Sequence, residues 1–243
     1  GLAPYGDRER GLRELRKIYR RLPEGQWEYT SRRCSHWELP RVREGSMPQE
    51  VMDFAAGLQA ALEDILLHML LHFQGVTGHE VLCAAGGVAL NCAAIGKVLA
   101  SGLFKRVLVA PVAHDAGCAW GAALHETMTR QEQPRIEPPS HVYCGENIGA
   151  DSAIHHRLMD WSPMLQIEKL DDVIHRTAVL LSEGEVVGWA QGRAEFGPRA
   201  LGNRSILADP RPAENKDRIN RMIKKREAFR PFAPAVMAEA AAD

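Results

Sequence analysis

The sequence predicts an α/β fold, and three observations predict it. Short apolar runs at residues 81–85 and 106–110 alternate with helical patterns at 88–100 and 118–129. Each run passes into its helix through a turn-forming string, Gly86-Gly87 after the first and residues 111–117, PVAHDAG, after the second. Strand, helix, strand, helix in this order implies parallel strands joined by a right-handed crossover. At 243 residues the chain fits one large domain or two modest ones.

The remaining elements follow in chain order. Residues 11–21 carry Leu12, Leu15 and Tyr19 at helical spacing, with Ile18 beside them, and read as a short surface helix. Residues 31–44 mix aromatics, proline and charge without a period and read as irregular. Ser46 and Gln49 have capping-box spacing at the head of a helix whose apolar residues recur to Phe73. Residues 131–140, QEQPRIEPPS, are polar and proline-rich, and read as a linker that divides the chain into domains 1–138 and 139–243. Beyond it come a helix at 170–182, a strand at 185–190 and a second strand at 205–208. An Asp209-Pro210 turn, a basic helix at 214–225 and the opening of a strand in FRPFAPAVM complete the chain.

Composition narrows the function classes. Thirty basic and thirty-one acidic side chains leave a net charge of −1, which argues against general coating of nucleic acid. The five cysteines are odd in number and form no CxxC pair, which favours reduced thiols in a cytoplasmic protein. The apolar runs read as too short for a bilayer, and nothing resembles a signal peptide, so no membrane partner is expected. His68 and His72 lie one helical turn apart, a spacing that could place two imidazoles on one metal. Their neighbours are Leu and Met and no third ligand sits at a zincin-like offset, so a packing role is the stronger reading.

Positive charge is nonetheless concentrated between residues 192 and 231, where Arg193, Arg199, Arg204, Arg211, Lys216, Arg218, Arg221, Lys224, Lys225, Arg226 and Arg230 occur. Several are set among Gly197, Pro198 and Gly202, which shape backbone rather than decorate a surface. The pattern suits an anion held by arginine forks and loop amides, against the alternative of a solvated basic face. Gly86-Gly87 ahead of Asn91 would let a phosphate approach the backbone at a helix amino end, or would simply be a tight turn. Asp115 sits where a carboxylate could hold a metal or cap a helix. No Ser-His-Asp or Cys-His arrangement is legible, which argues against a covalent mechanism.

The strings GLAPYG, GGVALNC, PVAHDAGCAWGAAL, GRAEFGPRALGNRSILADPR and KDRINRMIKKREAFRPFAP resemble the O-carbamoyltransferase family of nodulation and antibiotic biosynthesis. The resemblance covers nearly the whole chain. EFGPRALGNRSIL is its most specific string, whereas GGVALN is shared with the actin-like ATPase superfamily. It implies the second half of an actin-like, threonylcarbamoyl-transferase-like lobe, followed by the start of a YrdC-like α/β domain. It further implies that carbamoyl phosphate and ATP yield carbamoyl-adenylate and pyrophosphate in the second lobe. The carbamoyl group then passes, near a bound iron in the first lobe, to a hydroxyl of a sugar or natural product. ATP, iron (Fe²⁺) and an accompanying Mg²⁺ are the implied cofactors.

Carried over by residue, the resemblance makes Lys224 and Arg226 a Lys-x-Arg element, with Arg199 and Arg230 as further arginines on carbamoyl phosphate and nucleotide phosphates. Arg204 and Ser205 are candidate binding residues in the same string. Gly86, Gly87 and Asn91 match the nucleotide-contacting turn, and Asp115 the acidic metal ligand. The family's HxxxH metal motif is expected upstream of GLAPYG and its Ser-x-Asn element beyond Asp243, so the chain is expected to be an internal fragment. A carbamoyl-adenylate enzyme of tRNA modification or hydrogenase maturation, and a silent nucleotide-binding scaffold, are the alternatives.

Overall fold

A computed structural model describes residues 1–30, 39–42, 47–130 and 141–240. Its packing divides into two units, residues 1–115 and 116–243. The expected linker at 131–140 and the boundary at 138/139 lie outside the described residues, as does most of the irregular stretch at 31–44.

The first unit is organised by two helices that meet through glycine. Helix α1 (Arg8–Leu15) is capped by Asp7, whose carboxylate accepts the backbone N–H groups of Glu9 and Arg10. It ends earlier than its periodicity suggests. Leu15 and Tyr19 are both buried, but the chain between them leaves the helix so that Tyr19–Arg21 forms β1, paired antiparallel with β2 (Trp27–Tyr29). The hairpin turns through Pro23, Glu24 and Gly25, the last two with φ of 59° and 68°.

Helix α2 (Gln49–Thr77) is 29 residues long and starts behind Pro48. Ser46, and with it the expected capping box, lies outside the described residues. The Gln49 amide donates to the Asp53 carboxylate at 2.8 Å and to the Tyr5 carbonyl at 3.4 Å. The helix runs past Phe73 to Thr77 and stops at Gly78, whose left-handed φ of 65° ends the helical hydrogen-bond ladder. Where α1 crosses α2, a Cβ added at Gly57 would lie 2.4 Å from the Gly11 carbonyl carbon, and one added at Gly11 would lie 2.1 Å from the Asp53 oxygen. The backbones touch there, and ion pairs flank the contact: Arg8–Glu63 at 2.7 Å, Arg10–Asp53 at 3.1 Å and Arg16–Asp64 at 3.2 Å. Leu15, Tyr19 and Ala61 form the adjoining core, with Phe54 and Ile65 packed against it.

In one respect α2 departs from the sequence reading. Its length and a mean hydropathy of 1.4 in its most apolar window are sufficient to cross a bilayer. Asp53, Glu63 and Asp64 commit its first half to α1 instead.

The parallel pair expected from the sequence is present. Strands β3 (Val81–Ala84) and β4 (Arg106–Val109) pair in parallel, Val81 opposite Arg106, with helix α3 (Cys92–Ala100) between them in the chain. The helix begins four residues later than expected, because Gly87–Leu90 forms a 3₁₀ turn and Asn91 is the cap.

The second unit comprises α4 (Gly117–Arg130), α5 (Asp151–Met159), α6 (Val173–Ser182), strands β5 (Val187–Ala190) and β6 (Arg204–Leu207), and α7 (Glu214–Ile219). Strands β5 and β6 pair antiparallel, Val187 opposite Leu207, so the Gly-Arg-rich string is the connection of a hairpin. The basic helix is shorter than expected: α7 gives way at Asn220 to a π-helical turn that closes at Lys225. Residues 231–237 form no strand, contrary to the expectation for FRPFAPAVM.

Gly57→Ala forces apart backbones already in contact and should cost about 1–3 kcal/mol of stability. Gly75→Ala, on the same helix but with open space where its Cβ would stand, should instead stabilise by about 0.5–1 kcal/mol. Denaturant unfolding of the two variants tests the contrast, and a Gly57→Ala variant as stable as Gly75→Ala would remove the close crossing.

Candidate functional site

Two groups of candidate residues are built by different means in the two units. In the first, the loops after β3 and β4 lie side by side: the Gly86 N–H donates to the Ala113 carbonyl at 2.7 Å. Gly86 has a φ of 90°, and neither it nor Gly87 would meet any atom within 4 Å with an added Cβ, so the turn presents bare backbone to open space. Asn91 has its side chain engaged. It accepts the Ala94 N–H at 3.1 Å as cap of α3, and exchanges hydrogen bonds with the Gln59 amide on α2 at 2.9 and 3.2 Å. It therefore holds the turn in place rather than offering its amide outward.

Asp115, between β4 and α4, is exposed and without a hydrogen bond or ion pair among the described residues. Its neighbour His114 has a buried Nδ1 with no partner. No group of three His, Cys, Asp or Glu side chains that could hold a metal occurs among the described residues. One free carboxylate fits a metal ligand; a complete iron site is not formed by these residues. His68 places its Nε2 against the Leu22 and Gln26 carbonyls, and His72 packs edge-on to Phe73, in keeping with a packing role for the pair.

In the second unit, the connection between β5 and β6 is folded around one carboxylate. Glu195 Oε1 accepts the backbone N–H groups of Leu201 at 2.9 Å, Asn203 at 2.7 Å and Arg204 at 3.1 Å. Desolvation alone would raise its pKa. The amides of Leu201, Asn203, Glu195 itself and Arg204 outweigh that and hold it down to about 2. Arg204 complements this on the acceptor side. Its Nη1 donates to the Gln191 and Asn203 carbonyls, both at 2.7 Å, and its Nη2 to those of Gly192 at 3.3 Å and Glu146 at 3.5 Å. The segment at 142–148 runs alongside, with Gly145, Ile148, Ala194 and Phe196 exchanging backbone hydrogen bonds across it. Tyr143 donates its hydroxyl to the Leu201 carbonyl at 2.8 Å, and Phe196 packs edge-on to Trp120. Gly202, with a φ of 106°, allows the bend, and its N–H donates to the Ser205 hydroxyl at 3.1 Å.

The second anchor is Asn220, fully buried. Its side-chain N–H₂ donates to the Arg230 carbonyl at 2.8 Å and the Ala228 carbonyl at 3.3 Å, and its Oδ1 accepts Arg226 Nε at 2.6 Å. Arg226 also donates to the Pro231 carbonyl and lies 4.8 Å over the Phe232 ring. Arg230 pairs with Glu227 at 2.7 Å. Lys224 ends the π-helical turn and is followed by Lys225 in the left-handed region, with a φ of 47°. Such turns and such non-glycine conformations collect at functional sites.

The expected cations therefore separate into two kinds. Arg193, Arg204, Arg211, Lys216, Arg218, Arg226 and Arg230 are bonded within the fold. Arg199, Arg221, Lys224 and Lys225 have side chains without a hydrogen-bond or ion-pair partner among the described residues. Asn220 brings Lys224, Arg226 and Arg230 into one turn, and Glu195 organises Arg199, Arg204 and Ser205 in one loop. No hydrogen bond or ion pair between described residues joins the two groups. The sequence reading missed Glu195 and Asn220. Their signals were faint: one acid inside a Gly-Arg-Pro string, and one of two asparagines in a helix whose net charge is basic.

Comparison with known proteins places the chain in a class. The Carbamoyltransferase N-terminus family model matches residues 24–124 and the Carbamoyltransferase C-terminus model residues 178–243. The chain is 48% identical, over 98% of its length, to nodulation protein NolNO of Sinorhizobium fredii, and 48% identical over its full length to nodulation protein NolO of Bradyrhizobium diazoefficiens. It is 31% identical, over 98% of its length, to 3'-hydroxymethylcephem-O-carbamoyltransferase of Streptomyces clavuligerus. The chain belongs to the carbamoyltransferase family. It spans 36%, 45% and 43% of the lengths of these three relatives.

Glu195 gives the site an acid signature. Its folded pKa lies below its ordinary value of 4.5. Its stabilising contribution is therefore fully present above pH 4.5 and lost as pH falls through about 2. Glu195→Gln should consequently lose less stability than the wild type between pH 5 and pH 3, measured by thermal unfolding; parallel losses would place Glu195 outside the acid response.

Proposed function

We propose that the protein is an ATP-dependent O-carbamoyltransferase that makes carbamoyl-adenylate and passes the carbamoyl group to a hydroxyl of a sugar or natural product. The observation that carries this reading is the separation of cations in the carbamoyltransferase C-terminal region. Most arginines there are consumed by the fold, whereas Arg199, Arg221, Lys224 and Lys225 have no side-chain partner among the described residues, and of these Arg199 and Lys224 are the ones the family motif singles out. A free guanidinium and a free ammonium suit phosphate oxygens in complementary ways. Arginine forms paired, planar hydrogen bonds; lysine is a compact charge that can follow a moving group.

The chemistry balances with these groups as electrostatic partners. Water takes the phosphoryl group of carbamoyl phosphate, releasing phosphate and carbamate. A carbamate oxygen then attacks the α-phosphorus of ATP, and pyrophosphate leaves. Finally the acceptor hydroxyl attacks the carbamoyl carbon, loses its proton and expels AMP. Lys224, with Arg199, would neutralise the charge that grows on the leaving phosphates. Arg226 and Arg230 contribute through the turn that presents Lys224, and Arg204 and Ser205 through the loop that presents Arg199.

Residues 1–138 are read as part of an actin-like lobe and 139–243 as the opening of a YrdC-like domain. In the former, the bare Gly86-Gly87 turn suits close approach of a nucleotide, with Asn91 holding it, and Asp115 is proposed as one ligand of an iron ion. Mg²⁺ would accompany ATP. A cytoplasmic location, where ATP and carbamoyl phosphate are available and thiols stay reduced, accords with four exposed free cysteines, Cys83, Cys92, Cys118 and Cys144.

Lys224→Ala in the full-length protein should lower acceptor-independent pyrophosphate release from carbamoyl phosphate and ATP by on the order of 10²–10³, with the fold intact by circular dichroism. A solvated surface lysine would change stability by no more than about 0.5 kcal/mol and the rate hardly at all. A folded variant that releases pyrophosphate at the wild-type rate would remove Lys224 from the site.

A further inference from the structure

The β5–β6 connection is pinned at both feet and free in the middle. Phe196 donates its N–H to the Val142 carbonyl at 2.7 Å, and Leu201 is held from both sides, its N–H on Glu195 and its carbonyl on Tyr143. Between these feet, residues 197–200 are exposed, and the Arg199 side chain has no partner among the described residues. Three backbone N–H groups aimed at one point form a concavity that attracts any anion. Here the chain fills it with its own carboxylate, so the loop is ordered before any ligand arrives.

We propose that Glu195 is a positioning residue, whose carboxylate gathers the Leu201, Asn203 and Arg204 amides and thereby presents Arg199 as a preformed arm for a substrate phosphate. The substrate class, a phosphate ester or anhydride anion, rests on the carbamoyl-adenylate reading given above; the coupling of Glu195 to Arg199 does not. Arg199 has several rotatable bonds of its own. What Glu195 supplies is a fixed origin for them: without it, three loop amides would need water, and the arch would sample other conformations. Binding would then have to order the loop, and affinity falls by the cost of ordering.

The test uses the full-length protein with Glu195→Gln, Glu195→Asp, Arg199→Ala and the double variant Glu195→Gln/Arg199→Ala. Gln keeps an acceptor oxygen but loses the charge; Asp keeps the charge but withdraws it by one methylene. In the pyrophosphate-release assay, Glu195→Gln and Arg199→Ala should each raise the KM for carbamoyl phosphate by about tenfold to a hundredfold, the range of a lost charge-assisted hydrogen bond. Glu195→Asp should recover part of that loss, and the double variant should be no worse than Arg199→Ala alone. Hydrogen exchange at the Leu201, Asn203 and Arg204 amides should accelerate in Glu195→Gln and stay unchanged in Arg199→Ala.

Multiplying effects in the double variant, or unchanged exchange in Glu195→Gln, would overturn the proposal. If the wild type releases no pyrophosphate, the carbamoyl-adenylate reading fails by itself. Titration of the same variants with inorganic pyrophosphate, followed by calorimetry, then decides the coupling by the same additivity criterion.

Discussion

The β5–β6 connection depends on a single charge placed against backbone dipoles. The loop between β5 and β6 contains little apolar material with which to fold itself, and its amides and carbonyls must find partners or water. Glu195 takes three of the amides and Arg204 four carbonyls, so two oppositely charged side chains complete much of the loop's hydrogen bonding without touching each other's charge. Bonds with one ionised partner are shorter and about twice as strong as neutral ones. A carboxylate held near a pKa of 2 is therefore an energetic statement about the loop: the folded conformation strongly prefers the anion. Asn220 applies the same logic without charge, since a buried amide with both donors and its acceptor used fixes the turn from Lys224 to Pro231.

The first unit is held together by contact rather than by a hub. Gly11 against Gly57 lets α1 approach α2 to backbone distance, and the arginines of α1 reach acids on α2 that close approach has buried. The same helix supplies Gln59 to Asn91, and so carries the position of α2 into the turn after β3. That turn is tied to the loop after β4 by the Gly86–Ala113 hydrogen bond. Two strand ends that are far apart in sequence thus share one edge of a parallel pair, which is where ligands bind in such sheets.

How much of this was legible in the sequence depended on the range of the interaction. The parallel pair, α3, α4 and the hairpin strands were readable because apolar period and glycine punctuation are local signals. The Tyr19–Arg21 strand was not: Leu12, Leu15 and Tyr19 do lie on one face, but a buried Tyr19 is equally served by a strand once Pro23 and Gly25 turn the chain back. At the head of α2 the structure shows Pro48 in the cap position, and the Gln49 amide donates to Asp53 and Tyr5, partners set by tertiary packing; Ser46 lies outside the described residues. At the candidate site, positive charge alone does not separate the roles of the cations. Arg204 and Arg199 look alike in sequence, and only the carbonyls around Arg204 distinguish a structural arginine from a free one.

That distinction changes what a basic window means. An arginine has five donors, and a loop rich in glycine and proline has many carbonyls that no neighbouring strand satisfies. The first use of such charge is to complete the backbone, as Arg193, Arg204, Arg218 and Arg226 do on carbonyls of Cys144, Gln191, Gly184 and Pro231. Charge available to a ligand is what remains after that use, and it is meaningful where the backbone presenting it is itself fixed. Arg199 and Lys224 are such cations: neither has a side-chain partner among the described residues, Arg199 stands on an arch whose feet are tied through Glu195, and Lys224, with the equally unpartnered Arg221, stands on the turn that Asn220 closes. Lys225 shares the freedom of Lys224, but its left-handed backbone already serves to close the turn. A cation that is free on a rigid support binds an anion without first ordering itself, and so more of the electrostatic attraction appears as affinity.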